Sequence, residues 1–455
     1  MFTLLFIIVA ALFPGPVAAD EHSIKREPAQ LRVYELEELV RGTDITPALS
    51  GLQVSLLENF DATQTFAAGV AQVLGEASTP LRADHKVRIA SISKLVVAIG
   101  VMRLVEKGAL DLDEDVSKYL GWSLRNPRFP DKKITARHLL SHTSSVRDGS
   151  RYFIAAGTGQ LRDFFDPATD FWDGGQHFSA QEIEVPGRYF VYSNLNFGLL
   201  GEIIERLSGQ RFDQYMQQEV LAPMGLSASF DSCTVPVDQR AAAFRKRSDD
   251  GLLWDPRGPW VPQVDAGEPR CFYGMRSDAQ AASFLSSYQL GSNASLYSPQ
   301  GGLRASADEL VQVLRMLAND GVVNSQRILE AKSVNALLEP QWTLNPKRDN
   351  GLSAGEAEPG GPTDGLMTSY GLSVHRIDMR AWGFDTGPAL LVGHLGEAYG
   401  VLSHALFDPA TGDGIATIIT GTADDPAKSD PGHSPLYRVE EEVLRWWLNQ
   451  RAGHR

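Results

Sequence analysis

The chain has 455 residues, enough for one large or two ordinary domains with an ample core. Its hydrophobic share of 43% and charged share of 22% are those of a soluble globular protein. The 42 basic and 56 acidic residues leave a net charge of −14 with no clustered Lys/Arg stripe, which argues against nucleic acid or an anionic membrane as a partner.

At the N-terminus, Leu4 to Phe13 is a short apolar stretch that Pro14-Gly15-Pro16 breaks, and Val17-Ala18-Ala19 supplies small residues before Asp20. This is the pattern of a signal peptide over residues 1–19, and it predicts an exported protein, periplasmic or secreted. The stretch is too short for a stable anchor, and nothing later approaches about 18 consecutive apolar residues, so no integral membrane segment is expected. In an oxidising compartment the only two cysteines, Cys233 and Cys271, either pair or stay as two buried thiols. Residues 20–48 read as a linker or leading helix, and residues 49–452 as one domain.

That domain opens with strand patterns, an alternation over Leu52–Leu56 and a second run over Thr65–Ala71. An apolar, helix-patterned run follows from Leu95 to Val105 and ends at Lys107-Gly108. Residues from about 116 to 345 are mostly helical segments joined by long loops, notably 146–186 and 245–300. A Gly/Pro/acid-rich loop spans Asn345–Asp364. Strand patterns then return at Tyr370–Val374, at Leu390–Gly393, and at 401–407 paired with 414–420. An amphipathic helix, Leu436–Leu448, closes the chain, with Trp446 and Trp447 as core residues. Strands at both ends and helices between them predict an α+β fold. Its antiparallel sheet is built from both chain ends and flanked by helices, with a mostly helical subdomain inserted.

Four features carry chemistry. Ser91-Ile92-Ser93-Lys94 stands at the mouth of the apolar helix, where unpaired backbone N–H groups favour negative charge. A lysine three residues on lies on the same helix face, and a desolvated, neutral lysine can take the serine proton. Alone the pattern is weak, since a chain this long shows roughly one by chance and an N-cap serine beside an exposed lysine explains it equally. Tyr192-Ser193-Asn194 adds a tyrosine that can relay protons and an asparagine that can fix a substrate carbonyl or the lysine. Gly301-Gly302 leads into a cap that opens the helix 308–318. Gly393-His394-Leu395-Gly396 ends an apolar strand, where small residues let a substrate lie along the edge and an N–H can point at an oxyanion.

Together these motifs resemble the serine β-lactamase and penicillin-binding-protein superfamily, whose signature is S-x-x-K, S-D-N and K-T-G. The resemblance is greatest to the class C-like branch with Y-x-N in the middle, which includes D-aminopeptidases and family VIII-type esterases. It extends through Arg88-Ile89-Ala90, Gly108–Val116, Ile134–Ser144 and Leu221–Leu226, from about residue 50 to 450. It implies that Ser91 is the acyl-accepting nucleophile and Lys94 its proton partner, with Tyr192 assisting activation and leaving-group protonation. It further implies that Asn194 contacts Lys94 and the substrate, that His394 and Gly396 line the substrate strand, and that the N–H groups of Ser91 and Glu397 hold the oxyanion. Whether Lys94 or Tyr192 is the primary base stays open.

The departures concern the substrate. His394 replaces the lysine that grips a carboxylate, Leu395 replaces a small hydroxyl residue, and Glu397 puts an acid where a small residue is usual. A carboxylate there repels anionic substrates or else points to solvent. Ser145 stands where a helix-ending glycine is favoured, which leaves the local turn in question. The expectation is therefore an exported serine hydrolase cleaving a small-molecule ester, amide or peptide. The alternatives are a D-amino-acid peptidase or weak β-lactamase acting on cell-wall-related material, and a non-catalytic binding or sensing module. No cofactor or metal is expected. His138 and His142 have zinc-like spacing but no Glu between them. Asp111, Asp113 and Asp115 mimic a calcium loop that has Val116 where the turn glycine belongs.

Overall fold

The frame is an antiparallel sheet that is nine-stranded among the described residues and drawn from both ends of the chain. In the computed structural model, residues 33–452 are described apart from 75–76, 249, 268–277, 356–363 and 429–431. Residues 1–19 and Cys271 therefore lie outside the described residues. The N-terminal part supplies β1 (Leu49–Glu58), β2 (Asp61–Leu74) and β3 (Ala77–Pro80). The C-terminal part supplies β4 (Trp342–Thr343), β5 (Ser369–Tyr370), β6 (His375–Asp378), β7 (Leu390–Ala398), β8 (Val401–Phe407) and β9 (Gly414–Thr422). The order across the sheet is β4-β5-β6-β7-β8-β9-β1-β2-β3, so β1 and β9 form the seam between the two ends, from Leu49↔Thr422 to Leu57↔Gly414.

Both faces of the sheet are covered. Leu52, Val54 and Leu56 of β1 point to one side with Leu391, Leu402, Leu406, Ile415 and Ile419. There they meet α1 (Val33–Arg41) and the closing helix Arg438–Ala452, whose Trp446 and Trp447 are core residues. The other side carries Leu57, Val392, Ala405 and Ile418, and packs on the inserted helices. At their centre is α2 (Ile92–Glu106), with twelve of fifteen residues buried. A helix apolar on every side has to be enclosed on every side. Gly100 makes the enclosure possible, because a Cβ there would stand 2.7 Å from Met216 Sδ.

Two expectations change. The strand expected over Leu390–Gly393 continues to Ala398, because β8 pairs with every residue from Val392 onward. The turn Tyr399-Gly400, with φ of 58° and 94°, closes that hairpin in the left-handed conformation a two-residue loop needs. The strand expected over Tyr370–Val374 is cut to Ser369–Tyr370, since Ser373 at φ 60° turns the chain into β6. At the other doubtful turn, Ser145 itself adopts φ 65° and accepts a hydrogen bond from Asn126 Nδ2 at 3.1 Å. The glycine-type turn persists without glycine.

Candidate active site

Ser91 takes the N-cap position of α2, yet its side chain caps nothing. The residue before it, Ala90, holds φ 50°, a conformation that costs about 1–2 kcal/mol outside glycine. Ala90's carbonyl is fixed there by Ser93, which donates to it from N at 3.0 Å and from Oγ at 2.7 Å. The Ser91 N–H has no acceptor among the described residues, as befits a helix start.

Lys94 is fully buried one turn on. Its Nζ lies 2.8 Å from each of Ser91 Oγ, Asn194 Oδ1 and the Gln300 carbonyl oxygen. An amine has three directions besides its carbon. Two of them point at oxygens that can only accept, so two N–H bonds are committed. The third, toward the Ser91 hydroxyl, can hold either a proton or the lone pair.

Asn194 is itself aimed. Its Nδ2 donates to Asp148 Oδ2 at 3.0 Å, which leaves Oδ1 to face Lys94. Asp148 Oδ1 also accepts from Ser193 Oγ at 2.8 Å and from Leu195 N at 2.9 Å, so it caps α3 (Leu195–Ser208) from a distant loop. Sequence reasoning missed Asp148, because a lone aspartate in a loop carries no pattern. It missed Gln300 because only its backbone acts.

Tyr192 is buried, with its ring centroid 4.7 Å from Lys94 Nζ. Beneath it stacks His142, centroids 4.2 Å apart, whose Nδ1 accepts the Ser193 N–H at 3.1 Å. Burial first, then proximity to Lys94 and His375, holds His142 well below the usual histidine range. The pair His138/His142 thus reads as structural: His142 supports the Tyr192 ring.

His394 does not reach the cleft surface. It is fully buried, with Nδ1 2.6 Å from the Leu395 carbonyl oxygen and Nε2 2.9 Å from Tyr370 Oη. A carbonyl only accepts, so the proton sits on Nδ1 and Tyr370 donates to Nε2. Burial, then His375 and Lys94, keeps the ring neutral. It offers no cation to a substrate.

Gly396, on the same face of β7, meets Ser91 directly. A Cβ there would stand 2.6 Å from Ser403 Oγ, 2.7 Å from the Ile89 carbonyl oxygen and 3.1 Å from Ser91 N. Only a glycine lets the strand pass this close. Glu397 is exposed at the rim and accepts from Tyr437 Oη at 3.2 and 3.3 Å.

Ser91 lies where two lobes of a cleft meet. One, of about 310 Å³, is lined by Met367, Leu395, Gly396, Tyr437 and Glu440. Burial, then the nearby Glu397 charge, pushes Glu440 up to about 8. The other, also about 310 Å³, is lined by Arg88, Asn194, Gln300, Gly301 and Tyr399. The long loops contribute to both, through Tyr152 and Phe153, Arg245, and Ala354 with Leu366.

A family model described as Beta-lactamase matches residues 37–439. Monacolin J acid methylbutanoyltransferase of Aspergillus terreus is 30% identical over 189 residues, 37% of this chain and 43% of that protein. Esterase EstB of Burkholderia gladioli is 32% identical over 167 residues, 33% of this chain and 40% of that protein. The chain thus spans less than half the length of either. The D-amino acid amidase of Ochrobactrum anthropi SV3, solved with D-phenylalanine, has the same fold at TM-score 0.59 and 19% identity, with 92% of this chain and 97% of that one covered. Among the described residues no helix is long and apolar enough to cross a membrane.

Proposed function

The chain belongs to the Beta-lactamase family, and from that premise we propose that it is an exported serine hydrolase that forms an acyl-enzyme on Ser91 and cleaves an ester or amide. The observation that carries this reading is the 2.8 Å contact of Ser91 Oγ with a fully buried lysine whose other two directions are already committed. With Lys94 as the free amine, its lone pair faces the serine hydroxyl and takes the proton as Oγ attacks the substrate carbonyl. Negative charge then develops beside the Ser91 N–H, and the Glu397 N–H on β7 is the second donor. Tyr192, against the lysine, returns the proton to the leaving group, and water releases the acyl group by the reverse path.

The apolar side chains of the first lobe, Leu366, Met367, Leu395 and Leu436, support an ester with a hydrophobic acyl group. The burial and neutrality of His394 count against a β-lactam carboxylate held in the usual place. A second reading is acyl transfer to an alcohol instead of water, favoured by the similarity to the methylbutanoyltransferase. Export rests on the composition of residues 1–19.

The test uses protein lacking residues 1–19, assayed with p-nitrophenyl butyrate, a D-amino-acid anilide and a chromogenic cephalosporin, each beside Ser91→Ala. Turnover that disappears in the variant, with an acyl mass adduct on the Ser91 peptide, is the expected result. Product partition in the presence of an added alcohol separates hydrolysis from transfer. An adduct that never turns over points to a sensing module, and full activity in Ser91→Ala refutes the reading.

A further inference from the structure

Arg88 stands three residues before Ser91 on the short strand Val87–Arg88, which pairs with Arg304–Ala305. It is 9% exposed. Its Nε donates to the Gly301 carbonyl oxygen at 2.9 Å, and its guanidinium lies 4.9 Å from the Tyr399 ring centroid. These contacts fix the plane of the fork and leave its two terminal nitrogens without an acceptor among the described residues.

The surroundings make that anomalous. Arg304 donates to both oxygens of Asp265, at 3.0 and 2.9 Å, and the pair is almost sealed from solvent. Arg240, 1% exposed, donates among the described residues only to the Gly267 carbonyl oxygen, and its Nε and Nη1 have no partner among them. Burial raises Asp265, but Arg304, then Arg88 and Arg240, outweigh it and hold the carboxyl below its usual range. Arg88 and Arg240 therefore sit in the field of a carboxylate, Asp265, that is already spent on Arg304. An uncompensated buried charge is costly, and proteins keep one where a ligand completes it. Of the two arginines left over, only Arg88 lines the cleft, in the lobe that also holds Ser91, Asn194 and Gln300.

We propose that this lobe binds a carboxylate of the substrate, with the Nη1–Nη2 edge of Arg88 as its counter-ion. The inference rests on the hydrolase reading above and narrows it to esters or amides that carry a carboxylate a few bonds from the scissile carbonyl. A planar guanidinium suits this through two parallel hydrogen bonds. The grip would come from the Gly301 side of Ser91, opposite the β7 position where His394 has replaced the family's lysine. Glu397 also borders this lobe, but Tyr437 ties its carboxylate toward the other one. Its charge confines a bound anion to the Arg88 end.

Two probe pairs test this without presuming which side of the scissile bond enters the lobe. One is mono-p-nitrophenyl glutarate against p-nitrophenyl pentanoate, and the other is 4-carboxyphenyl butyrate against 4-carbamoylphenyl butyrate. In the wild type one anionic member should exceed its neutral counterpart in kcat/KM by about tenfold to a hundredfold, the range for hydrogen bonds to a charged group. The net charge of −14 works against any such preference, so the overall field cannot produce it. The advantage should shrink toward unity as ionic strength rises from about 0.02 to 0.5 M. It should disappear in Arg88→Gln and survive in part in Arg88→Lys. A wild-type enzyme that turns over the neutral esters with no preference for either anionic partner overturns the proposal and leaves the hydrolase reading intact, whether or not Arg88→Gln folds. An advantage that persists in folded Arg88→Gln also overturns it. If no ester is turned over, calorimetric titration with glutarate against glutaramide decides: heat with glutarate alone, lost in Arg88→Gln, supports the site, and its absence in the wild type refutes it.

Discussion

Replacing Gly396 with alanine tests the closest approach in the site. The added methyl would meet Ser403 Oγ at 2.6 Å and the Ile89 carbonyl oxygen at 2.7 Å, against an ordinary contact of 3.4 Å, a shortfall of 0.7–0.8 Å. Ser403 can rotate away only by giving up its bonds to Ile89 O at 3.0 Å and Gly396 O at 3.3 Å. Ile89 cannot rotate, because its carbonyl belongs to the backbone that presents Ser91. The strand must therefore retreat from Ser91 by most of that shortfall. Overpacking of this kind costs about 1–3 kcal/mol of stability. The same retreat draws the Glu397 N–H, the proposed oxyanion donor, away from Ser91, and misplacing a catalytic group by about 1 Å costs on the order of 100-fold. We expect kcat/KM on a neutral p-nitrophenyl ester to fall by about 10- to 1000-fold, while circular dichroism shows a folded protein with a Tm a few degrees lower. Adding Ser403→Ala should recover part of the stability and little of the rate, since Ile89 O is untouched. A Gly396→Ala enzyme within threefold of wild type would mean that this strand does not hold the oxyanion.

Three further outcomes follow from described contacts. Asp148→Ala strips the acceptor from Asn194 Nδ2, Ser193 Oγ and Leu195 N; chemical denaturation should show a loss of about 2 kcal/mol or more, and kcat should drop roughly tenfold as Asn194 turns away from Lys94. Burial holds His375 down to about 3, from 6.5 in the unfolded chain, so below pH 6.5 the unfolded state binds a proton that the native state refuses. Its contribution is complete above pH 6.5 and is lost as pH falls toward 3, by about 2 kcal/mol at pH 5. Urea titrations at pH 7 and pH 5 should show a smaller difference for His375→Phe than for wild type, and an unchanged difference would refute the assignment. Ser145→Gly relieves a left-handed serine worth about 1–2 kcal/mol, but loses the Asn126 bond and adds glycine's chain entropy. Its unfolding free energy should stay within about 1 kcal/mol of wild type.

What could be read from the residues alone follows the range of the forces involved. Ser91 and Lys94 are one helical turn apart, so their contact is local and the spacing reveals it. The all-apolar run after them requires a buried helix, and α2 is one. Tyr192 and Asn194 lie some hundred residues away, and only their likeness to a known pattern connected them with Lys94. Nothing local announces Asp148, because its three partners arrive by tertiary folding. His394 was legible as a residue but not as a charge state, since strand parity and burial decide whether an imidazole meets water. The extent of β7 was misjudged for a similar reason: two glycines weaken a strand in isolation, and here the pairing with β8 outweighs them. The imbalance of charge around Asp265 joins residues from four separate segments and has no trace in the linear order.

The seam between β1 and β9 also bears on how the molecule is made. The strand that begins at Leu49 finds its central partner only when the chain has reached Thr422, and β1 otherwise has β2 alone beside it. The three N-terminal strands β1, β2 and β3 form only one edge of the nine-stranded sheet, so the first half of the polypeptide has no finished sheet to collapse onto. Closing a loop of this length delays the productive step and favours slow folding. A growing chain would stay open until nearly all of it is present. That delay places the period of greatest exposure to proteases and aggregation at the end of synthesis.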